Sequence, residues 1–206
     1  MRLSYLVLTS VDRDDLPDGG AGQFAKTILA VKDKSPKTLV EALIPDFQGD
    51  RTAIAHVVDA GPEVIGHNIE TVESLTPEVR DRRSSYRTSL DVLRTAKRLD
   101  PSLLTKSSLM LGLGEGREDV LRAFSDLRDA GVDALTIGQY LRPSEWHVPV
   151  KEYVRPEKFD EYRVEAESLG FLYVASGPLV RSSYRASEYF AEASARKDKG
   201  MVADGG

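Results

Sequence analysis

Acidic side chains form a compact group near the start of this chain that could bind a positively charged ligand. Asp12, Asp14 and Asp15 lie within four positions that also contain an arginine, and two glycines follow at 19–20. Such a loop can accept a cationic amine and bring its backbone close to the ligand. The alternative is a solvated acidic turn before a helix, where carboxylates are favourable. The charge pattern alone favours that alternative.

A second group combines an amide and a carboxylate, Asn68 and Glu70, directly after His67. Amide and carboxylate groups suit the hydroxyls of a ribose or an amine, because they supply both donors and acceptors. No His or Cys stands at ligand spacing from His67, which disfavours a metal site there. We therefore interpret His67 as a polar residue that is satisfied inside the fold.

Two further groups occur later in the chain. Between Lys106 and Glu115, glycines at 112 and 114 would let the backbone pass close to a flat ligand. Lys106 either faces the active site or, as is usual near the start of a strand, faces solvent. Gln139 could reach a ligand, and Arg142 is either a substrate contact or a surface charge.

The stretch 177–186, Gly-Pro-Leu-Val-Arg-Ser-Ser-Tyr-Arg-Ala, is the most specific motif of the sequence. It offers the guanidinium of Arg181 and the hydroxyls of Ser182 and Ser183. The tetrapeptide Arg-Ser-Ser-Tyr also occurs at 83–86, so four residues alone are not specific. The whole stretch 177–186, placed after a predicted strand, is specific.

These groups are carried by short apolar runs that alternate with amphipathic stretches, which predicts strands joined by helices. Predicted strands cover 3–8, 38–44, 63–66, 103–111, 132–137 and 171–175, and predicted helices cover 22–34, 51–60, 89–99, 117–130, 156–169 and 187–197. Ser89 is the predicted cap of the third helix. The candidate side chains follow the strands, as they do at the catalytic mouth of a (β/α) barrel. We predict an α/β partial TIM-like barrel, one domain over 1–197 ending in a helical segment, and a disordered tail at 198–206.

The order of these motifs from Leu6 to Ala186 resembles that of lipoyl synthases, which are radical S-adenosylmethionine (SAM) enzymes. The resemblance implies two 4Fe-4S clusters and SAM as cofactors. It implies that SAM is bound by residues of the first four motifs: Asp12, Asp14, Asp15, Asn68, Glu70, Glu115 and Gln139. It implies substrate contacts at Lys106, Arg142 and Arg181. Ser183, with Ser182 as the second choice, would ligate the auxiliary cluster through oxygen.

Cysteine is where the sequence departs from the family. Members carry a Cys-x4-Cys-x5-Cys set and a Cys-x3-Cys-x2-Cys set upstream of the segment that resembles Leu6, and this chain has no cysteine. Clusters of this kind are held by cysteine thiolates. We therefore expect an N-terminally truncated relative that lacks both cluster motifs and the first barrel strand.

The family reaction inserts two sulfur atoms at C6 and C8 of an octanoyl-lysine on a lipoyl carrier domain, after a 5′-deoxyadenosyl radical removes hydrogens. We expect this chain to be inactive alone. Three alternatives stay open: a split enzyme whose second chain supplies the cysteine motifs, a non-catalytic protein that binds SAM or the carrier, and an unrelated metal-free barrel lyase.

Composition limits the classes of partner. The net charge of −5 disfavours nucleic acid, whose binders are basic. No apolar run reaches the length of a membrane span. The absence of cysteine and of a signal peptide favours the cytoplasm. The expected partner is the octanoylated carrier, either the E2 component or the glycine cleavage H protein.

Overall fold

Six strands form a single parallel sheet whose spatial order is the order of the chain. The computed structural model describes the backbone of residues 3–203, and the side chains of that range except 189 and 196–203. The strands are β1 (Tyr5–Thr9), β2 (Leu39–Leu43), β3 (Val64–Gly66), β4 (Leu104–Leu111), β5 (Ala134–Gln139) and β6 (Tyr173–Ser176). Each pairs in parallel with the next, which leaves β1 and β6 at the edges. The predicted α/β architecture is confirmed, since parallel strands in sequential order are those of a partial (β/α) barrel.

Helices connect the consecutive parallel strands, because parallel pairing needs a long crossover connection. They are α1 (Ala21–Lys34), α2 (Arg51–Asp59), α3 (Thr76–Val79), α4 (Tyr86–Leu99), α5 (Arg117–Asp129), α6 (Pro156–Ser168) and α7 (Ala186–Ala203), with short 3-10 turns at Phe47–Gly49 and Glu73–Leu75. Helix α7 runs to Ala203, residues 204–206 lie outside the described residues, and the disordered tail over 198–206 stays a prediction. The domain bounds stay a prediction. No helix in the described part of the chain is long and apolar enough to cross a bilayer.

The start of α4 corrects one prediction. The helix begins at Tyr86, and Ser85 caps it by accepting a hydrogen bond from the backbone N–H of Thr88 at 2.9 Å. Ser89, the predicted cap, is fully buried one turn inside the helix. The tetrapeptide at 83–86 therefore serves as a helix start, because serine at the cap position satisfies an otherwise unpaired backbone donor.

Apolar residues fill both sides of the sheet. The outer side packs against the crossover helices, with Phe124, Leu127 and Phe159 among its fully buried residues. On the inner side, α7 lies against the strands through Ala186 and Ala193. The Tyr5 and Phe190 rings stand 6.0 Å apart, so α7 contacts the first strand as well as the last.

Candidate functional site

Two adjoining cavities lie at the carboxyl ends of the strands. The first, about 230 Å³, is lined by the ends of β1, β2 and β3 and by the segment before α4. The second, about 320 Å³, is lined by the ends of β4 and β5 and by the loop after β6. Asn68 and Glu70 line both. Because the carboxyl ends of parallel strands form the functional face of such barrels, these cavities are the candidate site.

Glu70 is held in an unusual backbone conformation between the two cavities. Its φ is 65°, in the left-handed region that non-glycine residues rarely adopt. Its N–H donates to the Ser108 carbonyl at 3.1 Å, and its carbonyl accepts from the N–H of Met110 at 2.9 Å, which fixes it to β4. Residues strained in this way cluster at ligand sites.

The carboxyl group of Glu70 has only one polar neighbour among the described hydrogen bonds. The Asn68 amide donates to its Oε1 at 3.2 Å. Burial raises the pKa of the Glu70 carboxyl above its ordinary value, and the Asn68 hydrogen bond opposes that shift. The positive charge of Arg80, which lines the same cavity, also opposes that shift. A cationic ligand group beside Glu70 would favour the ionised carboxylate further.

The acidic loop contributes one carboxylate to the first cavity, not three. Asp12 lines it. Asp14 instead accepts a hydrogen bond from Arg83 at 2.6 Å, and Asp15 is paired with Arg13, which lowers the pKa of its carboxyl. Asp14 and Asp15, both predicted to bind cofactor, thus form surface ion pairs.

The side chains of Glu115 and Gln139 form hydrogen bonds with the backbone of nearby loops. Glu115 accepts from the backbone N–H of Gly112 at 2.6 Å and of Leu113 at 2.9 Å, and it lines neither cavity. Gln139 lines the second cavity, but its amide donates to the Glu152 carbonyl and accepts from the Val154 N–H. Both side chains therefore shape the loops around the site.

Two of the three residues predicted to contact substrate, Lys106 and Arg142, line neither of the two cavities. Lys106 is buried in the barrel interior, 2% exposed, and its Nζ lies 2.7 Å from Glu41 Oε1. Arg142 is exposed and donates to the carbonyls of its own loop, at Glu145 and His147. Arg181 does line the second cavity, and it donates to the Val180 carbonyl at 2.7 Å.

The resemblance implies Ser183 as the first choice for a cluster ligand and Ser182 as the second. The two serines differ in their position relative to the second cavity. Ser182 is half-buried and lines the second cavity, whereas Ser183 is exposed and does not line it. Of these two serines, Ser182 is therefore the one whose hydroxyl is beside the cavity.

Gly138 allows the loop after β6 to reach the cavity. A Cβ at this position would lie 2.2 Å from the Val180 carbonyl oxygen, which is far inside van der Waals contact. We expect Gly138→Ala to displace the segment that carries Arg181 and Ser182 and to lower the free energy of unfolding by about 1–3 kcal/mol. Urea denaturation measures this. Gly116→Ala is the control, because neither glycine has a φ in the left-handed region and the added Cβ of Gly116, whose φ is −77°, would meet only Asp119 Oδ2, at an ordinary 3.7 Å. Equal losses in both variants would contradict the steric account.

Sequence reasoning overlooked Arg80 and correctly interpreted His67. His67 is buried, and because a carbonyl only accepts, its Nδ1 carries the proton donated to Ile44 at 2.9 Å. Its Nε2 therefore accepts from the Ser89 hydroxyl, which in turn accepts from Arg80 at 2.7 Å. Arg80 lines the first cavity but follows a helix rather than a strand, so no strand-end pattern signals it.

Iron ligands are missing from the residues present. The 206-residue sequence has no cysteine. Within the described range, no group of three or more His, Cys, Asp or Glu side chains could hold a metal ion. The donor set of this chain therefore does not fit an iron–sulfur cluster, which requires thiolates. It does fit an organic ligand with amine and hydroxyl groups.

Comparisons with known proteins agree with the motif order. No family model matches the sequence. A lipoyl synthase from Thermus thermophilus is 59% identical over 196 residues, which cover 95% of this chain and 61% of that protein. A mitochondrial lipoyl synthase from Aedes aegypti is 57% identical over 188 residues, 91% of this chain and 48% of that protein. The chain thus spans about half to three fifths of the length of these curated relatives.

Solved structures agree on the fold. Methylornithine synthase has a TM-score of 0.61 at 13% identity, over 88% of this chain and 60% of that one. The radical S-adenosylmethionine methyltransferase TsrM from Kitasatospora setae, solved with cobalamin and a [4Fe-4S] cluster, has a TM-score of 0.50 at 14% identity, over 76% and 31%. Such low identities support the barrel-type fold alone. The sequence identities confirm the predicted resemblance: over more than nine tenths of its length, this chain is homologous to lipoyl synthases.

Proposed function

We propose that this chain is the SAM- and substrate-binding part of a lipoyl synthase. The reaction is the radical SAM insertion of two sulfur atoms at C6 and C8 of a protein-bound octanoyl-lysine, which gives lipoyl-lysine. The observation that carries the proposal is the 59% identity to a lipoyl synthase over 196 residues. The two cavities at the strand ends support it, because they offer a place for SAM beside a place for the substrate.

SAM would be held between the cavities by Asp12, Asn68 and Glu70. Carboxylates at Asp12 and Glu70 suit the ligand's amine and sulfonium charges, and the Asn68 amide suits ribose hydroxyls. When bound, SAM supplies the hydrogen-abstracting chemistry of the family. The chain's own contribution is to bind, orient and enclose the ligand and the octanoyl chain.

The thiolate ligands of the clusters would have to come from outside this sequence, because it contains no cysteine. Ser182 is the serine of the closing motif that lines one of the two cavities at the strand ends. We infer that the polypeptide of this sequence is inactive by itself. A split enzyme, in which a second chain brings both cysteine sets to the edge strand β1, is favoured by the position of β1 at the edge of the described sheet. A non-catalytic protein that binds SAM or the carrier is the other alternative.

The acceptor would be an octanoylated lipoyl carrier domain, the E2 component or the glycine cleavage H protein. Cytoplasm remains the proposed compartment, although several relatives are named mitochondrial lipoyl synthases.

An anaerobic reconstitution tests the proposed activity. The chain is incubated with iron, sulfide, SAM, a reductant and octanoylated H protein, with and without a second polypeptide carrying the two cysteine triplets. We expect neither cluster absorbance nor lipoyl product from the chain alone, and product by mass spectrometry when both polypeptides are present. Cluster absorbance bound by this chain alone would contradict the inference of inactivity.

Glu70 provides a separate test of the SAM site. We expect Glu70→Gln to weaken SAM binding about 10-fold in isothermal titration calorimetry, since a hydrogen bond to a charged group contributes about 1.5 kcal/mol or more. Glu78→Gln, which changes an exposed carboxylate on α3, is the control. An unchanged Kd in Glu70→Gln would remove Glu70 from the site.

A further inference from the structure

The loop 140–155, which joins β5 to α6, exposes a large apolar ring. Trp146, the single tryptophan of the sequence, is 97% exposed, and every residue from 141 to 147 is exposed with it. Tryptophan is among the residues that contribute most binding energy at protein interfaces, because it supplies a large contact area and loses little conformational freedom. The loop therefore carries a side chain suited to a protein partner.

Hydrogen bonds hold the loop in one shape. The Arg142 guanidinium donates to the carbonyls of Glu145 and His147, which lie on either side of the tryptophan. At the base of the loop, the backbone N–H of Lys151 donates to the Gly112 carbonyl at 2.9 Å. A loop that is already ordered by its own contacts loses less entropy when a partner binds it. Arg142 therefore fixes the backbone that presents the indole.

The loop borders the second cavity. Leu141 is 48% exposed and also lines that cavity, so apolar surface continues from the cavity to the loop. The loop 177–185, which follows β6, borders the same cavity through Val180, Arg181 and Ser182. An octanoyl chain attached to a lysine of a carrier domain can enter the cavity only if the body of that domain rests on the surrounding loops. These two loops therefore lie where a carrier would make contact.

Charge distinguishes these two loops from the rest of the chain. Together, residues 140–155 and 177–185 contain five Arg or Lys and two Glu, a net charge of +3, whereas the whole chain has −5. In the described part of the chain, only Arg185 of the five basic side chains forms an ion pair, with Glu188 at 3.4 Å. Positive potential beside a binding site favours a partner with an acidic surface and disfavours a basic one.

We propose that the two loops form the docking surface of the octanoylated carrier domain, with Trp146 as its apolar anchor and the basic side chains facing acidic groups around the acylated lysine. This docking role rests on the proposed function, since it requires that the octanoyl chain enters the second cavity.

The test compares octanoylated H protein with a short peptide that carries octanoyl-lysine, since the peptide has the acyl chain but not the body of the carrier. Each is titrated calorimetrically, with SAM present, into the wild-type chain, Trp146→Ala and Leu29→Ala. We expect Trp146→Ala to weaken binding of octanoylated H protein roughly 10- to 100-fold, as loss of an interface hot spot does, and to change binding of the peptide less than about 3-fold. Leu29→Ala, which shortens an exposed apolar side chain on α1, should bind both like the wild type.

The single tryptophan also reports contact directly. In a chain that contains fluorotryptophan, the fluorine resonance should shift when octanoylated H protein is added and stay in place when the peptide is added.

A charge reversal tests the basic side chains. Lys151→Glu should slow association with octanoylated H protein several-fold at low ionic strength, and the difference from wild type should shrink as salt is added. Lys37→Glu makes the same change at an exposed position before the amino end of β2 and should associate at the wild-type rate. Circular dichroism melts establish that each variant is folded at the temperature of the experiment.

Other results would overturn the docking surface. Equal weakening of both probes in Trp146→Ala would mean that the ring only supports the cavity. Unchanged affinity for octanoylated H protein in Trp146→Ala, or equal association rates in Lys151→Glu and Lys37→Glu, would remove the loops from docking and leave the proposed function intact. A wild-type dimer in sedimentation velocity that Trp146→Ala dissociates would show that a second copy of this chain covers the ring. Failure of the wild-type chain to bind either probe would overturn the proposed substrate site and the docking surface together.

Discussion

Replacing Lys106 by methionine is expected to lower the free energy of unfolding by about 3–5 kcal/mol, because it removes the ammonium group that lies beside the buried Glu41 carboxylate. Lys106 and Glu41 are 2% and 1% exposed, and their Nζ and Oε1 atoms are 2.7 Å apart. Burial lowers the pKa of the Lys106 ammonium, and the nearby Glu41 carboxylate opposes that shift. Urea denaturation monitored by circular dichroism measures the loss.

A double variant separates the ion pair from packing. Glu41→Gln keeps an acceptor for the Tyr5 hydroxyl, which donates to Glu41 at 2.7 Å, while it removes the buried charge. Lys106→Met combined with Glu41→Gln should therefore be more stable than Lys106→Met alone. Lys34→Met, at an exposed ion pair with Asp33, is the control and should change stability by less than about 0.5 kcal/mol. If Lys106→Met kept wild-type stability and altered substrate binding, the substrate role expected from resemblance would be restored.

We expect low pH to lower the free energy of unfolding because the buried His67 ring becomes protonated. Burial lowers the pKa of this ring from 6.5 to about 4. The unfolded chain therefore takes up a proton at a higher pH than the folded chain does, so stability is complete above pH 6.5 and falls as the pH drops from 6.5 towards 4. The loss attributable to this ring is about 3 kcal/mol.

The measurement compares urea denaturation at several pH values for wild type and His67→Gln. The variant is less stable at neutral pH, since the hydrogen bonds to Ile44 and Ser89 are perturbed, but its stability should fall less steeply between pH 6.5 and 4. His147→Gln, which replaces an exposed ring, is the matched control for loss of a histidine. Parallel curves for wild type and His67→Gln would show that another group causes the acid sensitivity.

The sequence predicted the architecture well because apolar runs and glycine stops are local signals. The helix over 117–129, for example, follows its apolar spacing and ends before Gly131, whose φ is +84°. The start of α4 was misplaced at Ser89 because Leu90 begins the visible apolar pattern, whereas Tyr86 and its cap Ser85 are part of the helix too.

The roles of the side chains were harder to predict from the sequence, because they depend on contacts between residues that are distant in the chain. Lys106 and Glu41 are 65 positions apart and meet through the register of β2, β3 and β4. Arg80 enters the cavity from a segment that no strand precedes directly. Resemblance identified the closing motif, but only the three-dimensional path of 177–186 distinguishes Ser182 in the cavity from Ser183 on the surface.

The contact between α7 and β1 has a consequence for synthesis on the ribosome. Since each strand pairs with the one made just before it, the sheet can assemble progressively as the chain emerges. The helix that covers the inner face, however, is translated after all six of these strands, and Phe190 must pack back against Tyr5 of β1. Until then that face is uncovered, so a nascent chain stalled before α7 would present it to chaperones.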